Sequence, residues 1–311
     1  MGNIFSIQKL RDVFVTNNCV IIDKATIIKD SCVKEEFYTK YLKPKFRLKY
    51  FFPFFSDSKK SYILATDEWS KNYCHFLWEA LSKVIELKKD SPEAVLILPK
   101  SYLKSDFMMK SLEAFGFNRD KIKTIPKRSR LRVKNLSFIP CININTPRYY
   151  DFLKFDEVAQ TLVSYYKNQL KTNYGNRIYI SRSDPKKNTM RKVSNEKELT
   201  AMLAKYGVKT VYMENFSFLE QISIMHNAGF ILAAHGAGIT NVMFAKKNCH
   251  LFEMVNANWG KTCFAYMCDK MAINYQNLQC KEIASSPQGL SLNDIVVDVE
   301  LLEKELIKIF K

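Results

Sequence analysis

The chain has 311 residues, 47% hydrophobic and 25% charged, an ordinary globular composition that suits two domains better than one. No apolar run reaches the roughly 18 residues of a membrane-spanning helix, and the first residues lack the apolar segment of a secretory signal, so the expectation is a cytoplasmic protein. The formal net charge of +17 calls either for a lysine-rich background or for an anionic partner: nucleic acid, a membrane surface or a phosphate-bearing substrate.

Eight cysteines (Cys19, Cys32, Cys74, Cys141, Cys249, Cys263, Cys268 and Cys280) form no Cys-x-x-Cys pair, and the four histidines are scattered. That argues against zinc and for free thiols in a reducing compartment. Gly2 and Ser6 fit the loose N-myristoylation pattern.

In chain order, residues 12 to 30 alternate β-branched runs with turn residues and predict two or three short antiparallel strands. Between 40 and 55, Lys40, Lys43, Lys45, Arg47 and Lys49 interleave with aromatics and lead into Tyr50 to Phe55. The plainer reading is a core-edge loop over buried aromatics. The functional reading is a face resting at the periphery of an anionic membrane or on a lipid-linked acceptor. Tyr62 to Ala65 reads as a strand, and Asp67 to Leu87 as a loop entering a helix. Val95 to Pro99 is a buried strand. Ser105 to Phe115 is a helix stopped by Gly116. Lys121 to Ile125 and Leu131 to Ile139 are further strands, and the rhythm predicts a parallel sheet with crossover helices. Lys127, Arg128, Arg130, Arg132 and Lys134 form the densest basic cluster; without a nucleic-acid motif beside it, an exposed loop and strand face is the preferred reading.

Residues 147 to 173 read as a linker ending in a long helix, which sets domains at 1–170 and 171–311. The second domain opens with the strand Arg177 to Arg182. Asn195 to Glu198 resembles a capping box for a helix reaching Tyr206, and Ser217 to Glu220 is a full match to one. Val208 to Met213 is a strand. Phe230 to Ala234 is apolar without alternation, as in a buried parallel strand. It runs into His235-Gly236-Ala237-Gly238, and Ile239 to Phe244 opens a helix. Cys249 to Val255 and Asp294 to Val299 are strands, and Leu301, Leu302, Leu306 and Ile309 mark a final amphipathic helix. The fold class is α/β.

A strand, a glycine turn and a helix present bare backbone N–H groups to an anion. Arg177, Arg182 and Arg191 offer forked donors for phosphate oxygens. Each arginine alone reads more simply as a surface ion pair. Glu253, late in an apolar strand, is placed to hold ribose hydroxyls, whereas Glu220 is explained by its cap. The Walker and Rossmann patterns both fail after Gly238, and no Asp-x-Asp is present to carry a divalent cation. In the first domain, His75 and Glu79 share one helical face with Asp67 and Glu68 upstream. They read as a structural pair or as a base for an attacking hydroxyl.

Arg177-Ile-Tyr-Ile-Ser-Arg182, Arg191, Asn195-Glu196, Glu220-Gln221-Ile222, His235-Gly-Ala-Gly-Ile-Thr-Asn241 and Phe252-Glu253, in that order, resemble glycosyltransferase family 61. Asn72-Tyr-Cys-His75 with Glu79 is similar to that family's N-terminal signature. The resemblance covers roughly residues 60 to 300. It implies a GT-B architecture, two Rossmann-like domains facing across a cleft, and an inverting, metal-independent enzyme without a cofactor. Carried over, Arg177, Arg182, His235, Gly236, Ala237, Gly238, Thr240 and Asn241 bind the donor, with Glu253 on the ribose. Glu79 or His75, backed by Asp67, is the base on the acceptor side. The implied reaction moves a hexose or pentose from a nucleotide sugar, a UDP-sugar first, to a glycan or lipid-linked saccharide in surface polysaccharide or glycoconjugate synthesis. The rival readings are a basic nucleic-acid-binding α/β protein and a non-catalytic scaffold.

Overall fold

The computed structural model describes residues 6–49, 52–55, 59–141, 149–171, 174–183, 191–257, 263–283 and 293–311, with backbone alone for 47–49 and 52–55. Gly2, Tyr50 and Phe51 lie outside these residues, and nothing describes the side chains of Arg47, Lys49 and Phe52 to Phe55. The chain is a mixed α/β protein with two sheets, and it divides into two units, 1–162 and 163–311.

The first unit begins with β1 (Gln8–Thr16), β2 (Ile21–Asp23) and β3 (Thr26–Ile27), an antiparallel meander. Helices α1 (Glu35–Leu42) and α2 (Pro44–Lys49) and strand β4 (Phe52–Phe55) occupy the basic aromatic stretch, where a loop was expected. Then come β5 (Tyr62–Leu64), a single turn α3 (Tyr73–His75), a π-helical turn at Phe76–Ala80, α4 (Leu81–Asp90) and β6 (Val95–Pro99). Helix α5 (Asp106–Ala114) ends at Gly116, whose φ of 78° is the left-handed conformation a helix terminator takes. Strands β7 (Ile122–Ile125) and β8 (Ser129–Phe138) and helices α6 (Tyr149–Phe152) and α7 (Phe155–Tyr166) complete the series.

The sheet order is β3-β2-β1-β8-β5-β6-β7, with β4 also on β8. Strands β5 to β8 are parallel where they pair, apart from β8 against β1. Strand β8 alternates: Leu131 and Val133 are buried, while Arg130, Arg132 and Lys134 face the other way. Arg130, Arg132 and Lys134 therefore form one face of a strand, as its period of two requires, and Lys127 and Arg128 lie in the turn before it. Arg132 grips Asp12 through two bonds of 2.7 and 2.8 Å, with Lys134 3.5 Å away. That hydrogen-bonded guanidinium holds the Asp12 carboxyl at about 2. Arg130 lies 4.4 Å over the Phe14 ring.

The second unit contains β9 (Arg177–Ile180), α8 (Glu196–Lys205), β10 (Lys209–Val211), α9 (Phe218–Asn227) and β11 (Phe230–Ala234). After these come β12 (His250–Asn256), α10 (Cys263–Met271), β13 (Asn274–Ile283), β14 (Asp294–Val296) and α11 (Val299–Phe310). The sheet order β10-β9-β11-β12-β13 is parallel, and β14 closes it antiparallel. Leu199 and Leu203 of α8 and Leu302 and Leu306 of α11, each pair four residues apart, fill the core with Tyr179, Leu232 and Met254.

The capping box at Ser217 forms in both directions, and Gln221 one position on is free to bond elsewhere. The one expected at Asn195 does not form. Its side chain spans instead to Val297, accepting from the backbone N–H at 3.0 Å and donating to the carbonyl at 2.8 Å, which ties α8 to the strand before α11.

Strand order reverses between β9 and β11: the chain leaves β9 for β10 on one side and returns to β11 on the other. At such a switch point the loops diverge and open a crevice beyond the carboxyl ends of the strands. Ser181 and Arg182 follow β9 into that crevice, and His235 and Gly236 follow β11.

Candidate functional site

Strand β11 is buried at all five positions and delivers His235 to the crevice, its backbone N–H bonded to the Met254 carbonyl at 3.0 Å. The chain then enters a 3-10 helix, Ala237–Phe244, where the sequence predicts a helix to open. The first closing bond runs from Ile239 N–H to the Gly236 carbonyl at 3.0 Å. The N–H groups of Ala237 and Gly238 precede it and have no acceptor within the helix, which keeps the anion-binding logic of the turn.

Gly236 is extended (φ 163°), a conformation any residue adopts. What demands glycine is space: a Cβ there would stand 2.0 Å from Nη1 of Arg182 and 2.9 Å from its Cζ. The guanidinium of Arg182 thus lies directly against the turn. A Cβ on Gly238 would meet Ile180 Cγ2 at 3.3 Å, a milder constraint.

The segment after β9 that carries Arg182 is braced by a small network. Glu196, at the start of α8, accepts from Tyr179 Oη at 2.7 Å and from Ser181 Oγ at 2.6 Å, and Ser181 Oγ accepts from the Ser183 N–H at 3.0 Å. Burial, then the charge of Arg191, push the Arg182 guanidinium down to about 10, against the pull of Glu214 and Asp294. Burial lowers Arg191 as well. Arg191 sits in the left-handed region (φ 63°), and its buried Nε has no hydrogen-bond partner among the described residues. Two mutually repelling, partly desolvated arginines, one with an orphan donor, are a cationic site suited to an anion.

Two cavities open here. One of about 120 Å³ is lined by Ser181, Arg182, Met213, Glu214, Gly238 and Ile239. A narrower one of about 10 Å³ lies among Arg191, His235, Met254, Asn256 and Asn293.

His235 Nδ1 lies 2.5 Å from Glu253 Oε1, and Tyr275 Oη donates to Glu253 Oε2 at 2.6 Å. Burial and the Glu253 charge push the Tyr275 phenol upward, so it stays a donor. The ring of Phe264 packs 5.2 Å from that of His235. Glu253, the expected ribose ligand, is only 2% exposed, and its two oxygens meet His235 and Tyr275. Tyr275, one diagonal step away on β13, had no sequence signal, because its strand is mostly polar.

Three further donor candidates are placed elsewhere. Arg177 stands at the amino end of β9, in register with Phe230. At about 3.3 Å per residue it is roughly 16 Å along the strand from Arg182. It donates to the Tyr206 carbonyl at 2.9 Å and stacks 3.9 Å over Phe310, which makes it a clamp on α11. Asn241 is buried and donates to Gln221 Oε1 at 3.0 Å. Thr240 is fully buried, and its Oγ1 has no hydrogen-bond partner among the described residues.

In the first unit, Asn72 caps α3 by accepting the Cys74 N–H at 2.9 Å. The π-helical turn that follows carries Glu79; such turns insert one extra residue and are frequent at functional sites. His75 Nδ1 lies 2.5 Å from Glu79 Oε1, and Tyr149 Oη donates to that same oxygen at 2.5 Å. The His75 side chain is 27% exposed and that of Glu79 only 8%, so the histidine is the accessible member. Trp69 packs on it, ring centroids 4.9 Å apart.

Asp67 is buried and engaged at both oxygens. Its Oδ2 takes Lys83 Nζ at 3.1 Å, and its Oδ1 takes the N–H groups of Trp69 and Ser70 and the Ser70 hydroxyl at 2.9 to 3.1 Å. Burial would raise the Asp67 carboxyl, but the Lys83 charge and these bonds hold it below its ordinary value. Among the described residues, no group of three or more His, Cys, Asp or Glu side chains is placed to hold a metal ion.

An EGF domain-specific O-linked N-acetylglucosamine transferase of Drosophila melanogaster is 29% identical over 108 residues, 34% of this chain and 20% of that protein. The chain thus matches about a fifth of the length of this relative. The family profile described as Glycosyltransferase 61 matches residues 73–252, a span holding His75, Glu79, Arg182 and the His235 turn. The chain belongs to glycosyltransferase family 61.

Proposed function

We propose that the protein is an inverting glycosyltransferase of GT-B architecture, with the nucleotide-sugar donor in the second unit and the base in the first. The observation that carries this reading is the Arg182 guanidinium seated against Gly236 at the β9–β11 switch point. The diphosphate lies on Arg182, Arg191 and the N–H groups of Ala237 and Gly238. His235, oriented by Glu253, faces the same anion.

In the first unit, Glu79 accepts a hydrogen bond from Nδ1–H of His75, which leaves Nε2 unprotonated to receive the proton of the acceptor hydroxyl. The acceptor oxygen bonds the anomeric carbon as the bond to the diphosphate oxygen breaks. The electron pair leaves with the nucleoside diphosphate, and the proton resides on His75. Arginines and backbone donors stabilise the leaving charge in the role a divalent cation fills elsewhere, so the reaction runs without metal or cofactor. One in-line displacement inverts the anomeric centre.

UDP-N-acetylglucosamine is the first donor to test, because the Drosophila relative is named for N-acetylglucosamine transfer. The acceptor is a hydroxyl of a glycan or lipid-linked saccharide. All eight cysteines are free thiols, which suits a cytoplasmic setting. Exposed Lys40, Lys43 and Lys45 around a 45% exposed Leu42 suit contact with an anionic membrane. The test is NMR of the product made from an α-linked donor in EDTA: a β-linked product supports the reading. An α-linked product, or activity abolished by EDTA, refutes the inverting or the metal-free part.

A further inference from the structure

Two side chains beside the accessible histidine of the first unit have no part in the mechanism above. Trp69 is half-buried, and its ring lies 4.9 Å from that of His75. Lys34 is exposed, and its Nζ lies 5.2 Å from the centre of the Trp69 ring. One aromatic side chain thus touches both the proposed base and a cation.

The two segments that carry this cluster are pinned to each other. Asp67 Oδ1 accepts the Trp69 N–H at 3.0 Å and the Ser70 N–H at 3.1 Å, and Asp67 Oδ2 takes Lys83 Nζ at 3.1 Å. A buried ion pair therefore fixes the turn that holds the tryptophan. Glu68, next in sequence, accepts the Val33 N–H at 3.2 Å and so ties the residue before Lys34 to that turn.

Local structure gives no reason for a lysine at position 34. It is the N-cap of α1, where a serine, threonine, aspartate or asparagine is favoured, and its side chain makes no cap. A cation there also faces the positive end of the helix dipole. Glu35 does not require it, being held by Lys29 at 2.6 Å. Among the described residues the Lys34 ammonium pairs with no carboxylate. Its three donors suit a carboxylate or a phosphate. The C–H face of a pyranose packs on an indole, which sets a sugar beside His75.

We propose that the acceptor is an anionic saccharide: its sugar ring rests on Trp69, one of its hydroxyls faces Nε2 of His75, and its carboxylate or phosphate pairs with Lys34. The site then discriminates against neutral glycans. The inference rests on the acceptor reading of the first unit given above, and one calorimetric series separates the two. The full chain is titrated with UDP-, GDP- and CMP-sugars and with two matched saccharide pairs. Trigalacturonate against its methyl ester tests a carboxylate on the sugar. N-acetylglucosamine 1-phosphate against methyl N-acetylglucosaminide tests the phosphate of a lipid-linked saccharide. Wild type is expected to prefer the anionic member of at least one pair about tenfold, the size of a charge-assisted hydrogen bond. Lys34→Ala should bring the anionic member to the level of the neutral one, Lys34→Arg should keep the preference, and Trp69→Leu should weaken both members together. Equal binding within both pairs, no binding of either pair, or unchanged binding in Trp69→Leu overturns the proposal. So does a preference that persists in Lys34→Ala, which would put the anion on the donor-site arginines. Nucleotide sugars that fail to bind, with a saccharide preference that Lys34→Ala removes, overturn the transferase reading and leave the saccharide site standing.

Discussion

His75 Nδ1 and Glu79 Oε1 lie 2.5 Å apart across a π-helical turn, and the pairing recurs in the other unit between His235 Nδ1 and Glu253 Oε1, also at 2.5 Å. Each glutamate is buried and also accepts a tyrosine hydroxyl, Tyr149 in one case and Tyr275 in the other. A carboxylate so placed fixes the ring and its tautomer, and it stabilises the imidazolium once a proton arrives. The first pair suits a base and the second suits a partner for an anion.

Glu79→Gln and His75→Asn are each expected to lower kcat about 100-fold or more while donor binding is kept. Tyr149→Phe, which removes one of the two bonds on Glu79 Oε1, is expected to cost about 1 kcal/mol of stability and far less of kcat. Steady-state kinetics with a donor titration separates these effects. Full kcat in His75→Asn would place the base elsewhere.

Arg182→Met is expected to abolish donor binding and to raise stability by about 1 kcal/mol, because a desolvated cation facing Arg191 leaves the site. The folded-state value of about 10 lies below that of an ordinary arginine, so the buried charge costs stability in full below pH 10. Between the two values the unfolded chain holds the proton more tightly, so the cost fades as pH rises. The stability gap between variant and wild type should therefore narrow above about pH 10 in urea titrations, and a gap that widens there contradicts the assignment.

Gly236→Ala is expected to fold normally, since its backbone angles are open to alanine, yet to displace the Arg182 guanidinium from the turn. Donor affinity should fall about tenfold or more. Calorimetry beside a thermal melt reads both properties on one sample.

Thr240→Val removes a buried hydroxyl that has no hydrogen-bond partner among the described residues, and it should stabilise the protein by about 1 kcal/mol with kcat unchanged. A large loss of donor affinity in this variant would restore Thr240 to the donor site.

Lys83→Met strands Asp67 as a buried unpaired charge, at a cost of about 3–5 kcal/mol, and Lys83→Met with Asp67→Leu should recover much of it. The Asp67 value is depressed below 3.8, so its contribution is complete above that pH and is lost as pH falls through the lower folded value. Acid titration should thus destabilise wild type more than the double variant.

Features set by local pattern were legible in the sequence. The unbroken apolar run Phe230 to Ala234, the Ser217–Glu220 box and the Gly116 stop all appear where their residues required. Helix α10 and strand β13 were not, because β13 is largely polar and pairs only as the fifth strand of a sheet already built. Site residues divide the same way. Arg182, His235 and Gly236 follow from a strand end and a turn. The displacement of Arg177 follows only from parallel register, which puts the two ends of β9 on opposite edges. The partnerships of Glu79 with Tyr149 and of Glu253 with Tyr275 span 70 and 22 residues, beyond any periodicity. Thr240 and Asn241 lie in the motif that carries the family resemblance, yet the 3-10 geometry turns them inward.

Nucleotide binding at the β9–β11 crevice is tested most directly by thermal shift of the full chain with UDP, GDP, CDP and their sugars, run on wild type and Arg182→Met together. A ligand that binds the folded state at 100 times its Kd adds about 2.7 kcal/mol, a shift of several degrees. The expected result is such a shift for one nucleoside diphosphate and its sugar in wild type and none in Arg182→Met. No shift with any of them, or equal shifts in both proteins, would contradict the donor site.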